Sequence, residues 1–263
     1  MKEFFKNKFD FVVSIGQGCA STSYLRRCNL QNFSFPFDWI AGAPFDVLTD
    51  YIINGFQNFL NIEDLEPYIL KEGHKNDGPC DLYRNKRNNY HHFHDFTKNM
   101  PLEESFKIVK AKYDRRIKRF YECIDSSKKI LFVWFSHFVP LQDENFTESC
   151  KRLREHFQDK EIYMLVIENS SVKKEELLED GHLLILNYDT LSDDKKHHYD
   201  ETMGNKTNNL KVFKKIKLKT TFSGKIKRIV YTVLTALTYL IAIRPLRQKI
   251  KAKLNMFFYH AKL

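Results

Sequence analysis

The sequence predicts an α/β fold: an open, mostly parallel sheet of about four to five strands flanked by helices, followed by a basic helical tail. Four short apolar runs carry this prediction, and they cover residues 9–15, 130–136, 162–168 and 182–188. Each run is nearly continuous rather than alternating, as expected for parallel strands that are buried on both faces. The strand–helix alternation with short crossovers is typical of this fold class.

Helical patterns lie between the predicted strands. They cover residues 19–28, 44–60, 102–126, 147–157 and 171–179. Residues 61–101 are rich in Asn, His and Tyr and show weak periodicity, so a long loop or irregular insertion is expected there. Long loops in compact domains often carry function.

Composition excludes several classes of protein. With 43% hydrophobic residues, 9 Gly and 7 Pro, the chain is neither collagen-like nor of low complexity. Its five cysteines include no C-x-x-C pair, which indicates reduced thiols in a cytoplasm rather than a disulfide scaffold or structural zinc. No secretory signal peptide is expected, because the first apolar run is short and is followed by Gln-Gly rather than a small-residue cleavage site.

Charge divides the chain into two parts. The last acidic residue is Glu201, and residues 202–263 contain 15 Lys and Arg but no Asp or Glu. Residues 1–201 contain 28 basic and 33 acidic residues. We therefore predict an α/β catalytic-like domain over residues 1–201 and a basic tail over residues 202–263 that has an anionic partner.

The tail contains an apolar run at residues 229–243, flanked by Arg228 and Arg244. As a helix this run would be roughly 22 Å long, shorter than the ~30 Å hydrocarbon core of a bilayer. We predict that it lies at the inner face of the cell membrane on anionic headgroups. The alternatives are packing on the domain, a dimer contact or a spanning helix. Nucleic acid is not expected as a partner, because the lysines alternate with aliphatic runs rather than with stacking aromatics.

Polar and glycine residues follow the predicted strands. In an open α/β sheet, ligands bind beyond the carboxyl ends of the strands. The sequence therefore predicts a site lined by residues at these ends. They are Gly16, Gly18 and Cys19 after the first strand, His137 after the second, Asn169 after the third and Asp189 after the fourth.

The segment SIGQGCAS gives the clearest chemical signal. Its glycines permit a tight turn, and Cys19 falls at the start of the next helix. Backbone amides and the helix dipole favour a thiolate there, which predicts a nucleophile. Two alternatives remain: a small cysteine packed under the turn, or a turn that binds phosphate. A lone G-x-G without a third Gly or a P-loop Lys is weak evidence for phosphate.

The chain also resembles an uncharacterised bacterial family described as putative papain-like cysteine peptidases. The resemblance rests on SIGQGC, LRRCNL, FSFPFDWI, HDF, YDRRIKRF and ILFVWF, in this order, over roughly residues 9–209. It implies that Cys19 is the nucleophile and His94 the general base. It also offers Asp95 and Asp38 as polar partners of the site.

Other arrangements of the same residue types stay open. His137 is an alternative base, and with Asn169 it would reproduce the order Cys…His…Asn of papain-like enzymes. His92 and His94 would share a face of an extended segment, but no neighbouring Cys or Glu completes a ligand set, so no metal is expected. Arg116 and Arg119, about one turn apart on a predicted helix, would either bind a phosphate or carboxylate or form a solvated face.

We therefore predict thiol-dependent acyl chemistry, as in a papain-like cysteine peptidase or a related hydrolase or acyltransferase. Cys19 would attack an ester, thioester or amide carbonyl, and the amides of Ala20 and Ser21 would hold the oxyanion. No cofactor is expected. The sequence does not decide whether the substrate is a peptide, an acyl compound or a glycan. The alternatives are a transferase of surface-polysaccharide or lipid-linked glycan synthesis, and a non-catalytic, membrane-anchored binding module.

Overall fold

A computed structural model of the chain describes residues 1–70, 76, 78–136, 145–191 and 204–219, and short stretches between residues 230 and 254. The chain divides into two compact units, Met1–Leu218 and Lys219–Leu263. Residues 204–218, which follow the predicted boundary at residue 201, belong to the first unit.

The first unit contains both parallel and antiparallel strands. In chain order the strands are β1 Lys8–Phe9, β2 Phe11–Ser14, β3 Ile40–Ala41, β4 Leu65–Pro67, β5 Cys80–Asn85, β6 His91–Thr97, β7 Lys129–Ser136, β8 Glu161–Asn169, β9 Lys174–Leu178, β10 Leu183–Tyr188 and β11 Lys217–Leu218. The helices are α1 Cys19–Arg27, α2 Phe45–Ile53, α3 Leu102–Asp125, α4 Phe146–His156 and α5 Lys206–Phe213.

The main sheet has the strand order β2-β7-β8-β10-β9, and all its pairs are parallel except β10 with β9. The predicted α/β class and mostly parallel sheet are confirmed. Strand β7 explains the continuous apolar run, because its alternate residues pack into different cores. Phe132 and Trp134 face the core that contains α2, α3 and α4, while Val133 and Phe135 face the core that contains α1 and α5.

Helix α5 belongs to the core of the first unit. The Phe213 ring is fully buried and stacks on Tyr24 of α1, with ring centroids 5.0 Å apart. The Asn209 side-chain amide donates to the Tyr24 hydroxyl. The residues that follow position 201 therefore include a part of the fold that holds α1 in place.

The helix predicted at residues 171–179 is wrong. Residues Lys174–Leu178 form the edge strand β9, which pairs antiparallel with β10. The charged, Leu-containing segment favours a helix locally, but as a strand it satisfies the backbone groups along one side of β10. Short, charged edge strands are a common way of closing a sheet.

The loop predicted at residues 61–101 is also wrong. This region supplies three of the four strands in an antiparallel sheet of order β3-β6-β5-β4. Strands β5 and β6 form a hairpin with an irregularity between Asp81 and Tyr83, and Asn89 in its turn has a φ of 55°. The weak periodicity arises because this irregularity shifts the alternation of inward and outward residues.

The second unit is described only in short helical stretches, which include the 3-10 turn Thr238–Leu240. Within the part of the chain that the structure describes, no helix combines the length and the apolar content that crossing a bilayer requires. The interfacial helix expected at residues 229–243 lies partly outside the described residues and stays a prediction.

Candidate active site

The turn between β2 and α1 is anchored on strand β7. The Phe135 amide donates to the Gly16 carbonyl at 3.1 Å, and the Gln17 amide donates to the Phe135 carbonyl at 3.0 Å. The Ser136 hydroxyl donates to the Gln17 side-chain oxygen. Parallel pairing therefore continues beyond β2 and fixes the point at which α1 begins.

Cys19 is the first residue of α1, as the sequence predicts. Gly18 precedes it as the N-cap in an extended conformation and has no side chain with which to cap the helix. The first N–H groups of an α-helix have no intrahelical partner, so they are donors that point toward whatever lies at this end of the helix. Among the described residues, no atom would lie within 4 Å of a Cβ built at Gly18.

The other four thiols are in environments that suppress ionisation. All five cysteines lie in the described part of the chain and are reduced thiols. Burial raises the pKa of Cys28 and of Cys80. Burial also raises the pKa of Cys123 to about 11 and that of Cys150 to about 12. Only Cys19 combines partial exposure with a position at a helix N-terminus.

Asp38 is an interior residue rather than a substrate contact. Its carboxylate has no exposed surface, and it accepts hydrogen bonds from Thr22 Oγ1 at 2.9 Å, Gln31 Nε2 at 2.7 Å and the Phe35 amide at 2.9 Å. Burial raises the pKa of Asp38, against the effect of these donors. The place in the site that the resemblance implies for Asp38 is therefore not supported, because its buried side chain ties α1 to the loop before β3.

Asp95 pairs with His92 and not with His94. The buried carboxylate lies 2.7 Å from His92 Nδ1 and accepts from Lys112 Nζ at 2.6 Å and from the Tyr113 hydroxyl at 2.7 Å. Burial alone would raise the pKa of Asp95, but His92 and Lys112 together hold it well below its usual range. Asp95 thus joins the antiparallel sheet to α3, and the catalytic partnership implied for it with His94 is not formed.

His94 is exposed at the other end of α1. Its ring makes an edge contact with Trp39, at 5.7 Å between centroids, and the Trp39 ring lies 5.4 Å from the guanidinium of Arg26. Arg26 is seven residues beyond Cys19, which corresponds to about 10.5 Å along the helix axis. Among the contacts of the described residues, no hydrogen bond joins His94 to Cys19.

His91 is tied to the glycine turn through Gly42. The Gly42 amide donates to the Gln17 carbonyl at 3.3 Å, and a Cβ built at Gly42 would lie 3.0 Å from His91 Nδ1. His91 Nδ1 is 3.3 Å from the Ala41 carbonyl, which can only accept, so the ring presents its lone pair at Nε2. Burial lowers the pKa of His91. Sequence reasoning missed this histidine because the β3–β6 pairing brings it to the turn.

The remaining strand-end residues do not gather around Cys19. Asn169 ends β8, and its side-chain oxygen accepts from the Thr190 amide at 3.0 Å. Asp189 follows β10 and accepts from the Leu191 amide. These strands are two and three positions from β2 in the sheet, or about 10 and 14 Å at the usual spacing. The substrate-contact predictions for Asn169 and Asp189 therefore lack support from the strand order, and His137 lies outside the described residues.

Gly16 shapes the turn from inside the protein. The sequence predicts that Gly16 lines the site, but the residue is buried against Trp134 and is not exposed to a substrate. Among the described residues, no group of three or more His, Cys, Asp or Glu side chains has the arrangement of a metal site.

The fold and the site thus define an α/β protein with a thiol at the N-terminus of a helix that follows a parallel strand and a glycine turn. A model of the family described as "Putative papain-like cysteine peptidase (DUF1796)" matches residues 10–161, more than half of the chain. The chain therefore belongs to this family, as its resemblance implied.

The chain is also similar to a viral protein that carries no assigned activity. "Uncharacterized protein R408" of Acanthamoeba polyphaga mimivirus is 31% identical over 133 residues, which cover 46% of this chain and 59% of the viral protein. The chain thus spans less than two thirds of that relative. No solved structure shows a significant match.

Proposed function

We propose that this protein is a thiol-dependent acyl hydrolase or acyltransferase in which Cys19 is the nucleophile. One observation carries the proposal: Cys19 is a partly exposed thiol in the first turn of α1, directly after the glycine turn that follows β2. Burial raises the pKa of each of the other four thiols, so they are poor nucleophiles near neutral pH. Membership of the papain-like family supports the same choice.

The chemistry follows from this position. The Cys19 thiolate attacks the carbonyl carbon of an ester, thioester or amide, and the electron pair of the C=O bond moves to oxygen. The amides of Ala20 and Ser21 in the first turn of α1 are proposed to hold that oxyanion. Collapse of the intermediate expels the alcohol, thiol or amine and leaves a thioester on Cys19, which water or another acceptor then resolves.

We propose His91 as the group that takes the Cys19 proton and returns it to the leaving group. Its Nδ1–H faces the Ala41 carbonyl, so Nε2 carries the lone pair. The lowered pKa keeps the ring neutral at pH 7, as a general base requires. The family resemblance implies His94 and the strand-end pattern implies His137, so the three histidines are tested together.

Alkylation by iodoacetamide, followed residue by residue with peptide mass spectrometry, tests the nucleophile. Cys28 is the matched control, since it caps the opposite end of the same helix. At pH ~6.5 we expect Cys19 to be alkylated at least about tenfold faster than Cys28. Equal or slower labelling of Cys19 would overturn the proposal.

The base is identified by repeating the assay with His91→Gln, His94→Gln and His137→Gln. Glutamine preserves a hydrogen-bond donor but cannot take up the proton. We expect only His91→Gln to reduce the rate for Cys19 at pH ~6.5 to that of an ordinary thiol. A loss confined to His94→Gln or His137→Gln would assign the base to that histidine and refute the assignment to His91.

A further inference from the structure

Two arginines from different helices meet at Ser34. Arg26 of α1 donates from Nη2 to the Ser34 hydroxyl at 2.7 Å. Arg119 of α3 donates from Nη1 to the Ser34 carbonyl at 3.0 Å. Both guanidinium groups are therefore held beside the same loop residue, although they are 93 positions apart in the chain. We call Arg26, Arg119 and Ser34 the arginine cradle.

The guanidinium groups of the cradle have few close counter-charges. Among the described residues no carboxylate forms an ion pair with Arg119. Burial and the charges of Arg116 and Arg115 lower its pKa, against the opposing effects of Cys123 and Glu122. The carboxylate nearest to Arg26 is Asp38, at 3.9 Å, and Asp38 already accepts three shorter hydrogen bonds. A bound anion would supply the negative counter-charge that these two guanidinium groups lack.

One unused donor and an aromatic face complete the cradle. Arg26 Nε is buried without a hydrogen-bond partner among the described residues. The Arg26 guanidinium lies over Trp39, whose indole N–H donates to the Ser34 hydroxyl at 3.3 Å. His94 borders the cradle through its contact with Trp39. Guanidinium groups fixed in this way suit the planar, bidentate recognition of carboxylates and phosphates.

The cradle is aligned with Cys19. Residues seven apart in an α-helix lie about 20° apart around the axis and about 10.5 Å apart along it. Cys19 and Arg26 are both partly exposed, and so is Ser23 between them. The same helix buries Ala20, Ser21, Tyr24 and Leu25 on its opposite side, and Thr22 at the border between the two sides.

We propose that the arginine cradle binds a carboxylate or phosphate of the acyl substrate, about 10 Å along α1 from the carbonyl that Cys19 attacks. The position of the reacting carbonyl in this inference rests on the proposed function of Cys19. The binding of an anion by the arginine cradle does not. It replaces the sequence-based pairing of Arg116 with Arg119. Arg116 instead lies 4.0 Å from Asp95 and stacks on Tyr113.

Matched thiol probes of the full-length protein test this proposal. N-iodoacetyl-6-aminohexanoic acid carries an anion at the end of a linker that spans the distance from Cys19 to Arg26, and its methyl ester is the neutral control. N-iodoacetyl-6-aminohexyl phosphate is the third probe. We measure the saturation constant KI and the maximal rate for Cys19 alkylation. We expect KI to be about tenfold lower for at least one anionic probe than for the ester, with similar maximal rates. The lower KI of the two anionic probes identifies the preferred anion.

Substitutions test whether the preference for an anionic probe comes from the arginine cradle. Arg26→Gln and Arg119→Gln should each raise KI for the preferred anionic probe to that of the ester, and leave KI for the ester unchanged. Arg27→Gln is the matched control, because Arg27 is the exposed neighbour of Arg26 on α1. An effect of Arg27→Gln equal to that of Arg26→Gln would overturn the cradle in favour of general surface charge. Arg26→Lys keeps the charge and should recover part of the preference even if Arg26→Gln impairs folding.

Failure of the arginine cradle and failure of Cys19 as the nucleophile give different results. If Cys19 is alkylated at equal KI by anionic and neutral probes, the arginine cradle is wrong and the proposed function stands. If Cys19 is not alkylated, the nucleophile is wrong, and calorimetry with 6-acetamidohexanoate and 6-acetamidohexyl phosphate then tests the cradle separately. Binding of neither compound, or binding that Arg26→Gln leaves unchanged, would overturn the cradle.

Discussion

Gly16 lies directly against the six-membered ring of Trp134, so that a Cβ on Gly16 would come within 2.6 Å of Trp134 Cζ3. Gly16 also has a φ of +128°, a conformation that side chains other than glycine rarely adopt. Trp134 is fully buried on β7 and packs edge-on against Phe45. The contact explains why a glycine is needed where the chain leaves β2 toward Cys19.

We predict that Gly16→Ala lowers the free energy of unfolding by about 3 kcal/mol, from backbone strain and overpacking against Trp134. Gly18→Ala is the matched control, because Gly18 has an extended φ of −172° and no described atom within 4 Å of its Cβ position. It should change stability by less than about 1 kcal/mol. Urea unfolding, monitored by circular dichroism, measures the unfolding free energy of both variants. Equal effects of the two substitutions would contradict the proposed strain and overpacking at Gly16.

Asp95 is predicted to be a structural residue. Asp95→Asn removes a buried carboxylate that pairs with His92 and Lys112, and it leaves those groups without their counter-charge. Breaking one partner of a buried ion pair costs about 3–5 kcal/mol of unfolding free energy. Asp81→Asn, on the neighbouring strand, serves as a less buried control with an expected effect below about 1 kcal/mol. A small effect of Asp95→Asn would mean that the network contributes little to the fold.

The same carboxylate predicts a pH dependence. Because the folded state holds the pKa of Asp95 well below its unfolded value of ~3.9, its contribution to stability is present above pH ~4 and is lost as the pH falls below that value. The stability difference between the wild type and Asp95→Asn should therefore shrink as the pH is lowered from 5 toward 3. A difference that stays constant over this range would refute the predicted ionisation of Asp95.

Two truncations test where the globular part of the protein ends. Removal of residues 219–263 should leave the first unit folded and Cys19 reactive, because that unit ends at Leu218. Removal of residues 202–263 also deletes Phe213, and loss of its packing on Tyr24 should cost about 3–5 kcal/mol. Circular dichroism and urea unfolding compare the two proteins, and equal stabilities would show that α5 is dispensable.

Membrane attachment is a separate prediction about the basic tail. The described apolar residues of the second unit include Leu240 and Ile243, which are 81% and 63% exposed. Each Lys or Arg at an anionic surface contributes about 1 kcal/mol, screened over a Debye length of ~8 Å. The full chain should sediment with anionic but not with neutral liposomes, less so at high salt, and the protein lacking residues 219–263 should not. Sedimentation that ignores lipid charge would contradict an electrostatic attachment at the inner face of the membrane.

Local sequence patterns were sufficient for the main sheet and for the position of Cys19. Continuous apolar runs report burial on both faces, and a glycine turn before a helical pattern places a thiol at a helix N-terminus. Both properties depend on neighbouring residues, so one stretch of sequence reveals them. The predictions failed for β9 and for the antiparallel sheet, whose residues gain their partners from strands elsewhere in the chain.

Local patterns in the sequence predict an α/β chain with a candidate nucleophile at Cys19 and a basic segment after residue 201. Which charged side chains meet depends on the folded arrangement of the elements. It pairs Asp95 with His92 instead of His94, brings His91 to Gly42, and joins Arg26 to Arg119 through Ser34. These contacts link residues on separate elements or depend on the exact strand register. A side chain's neighbours across a fold are set by packing, and local periodicity carries no information about them.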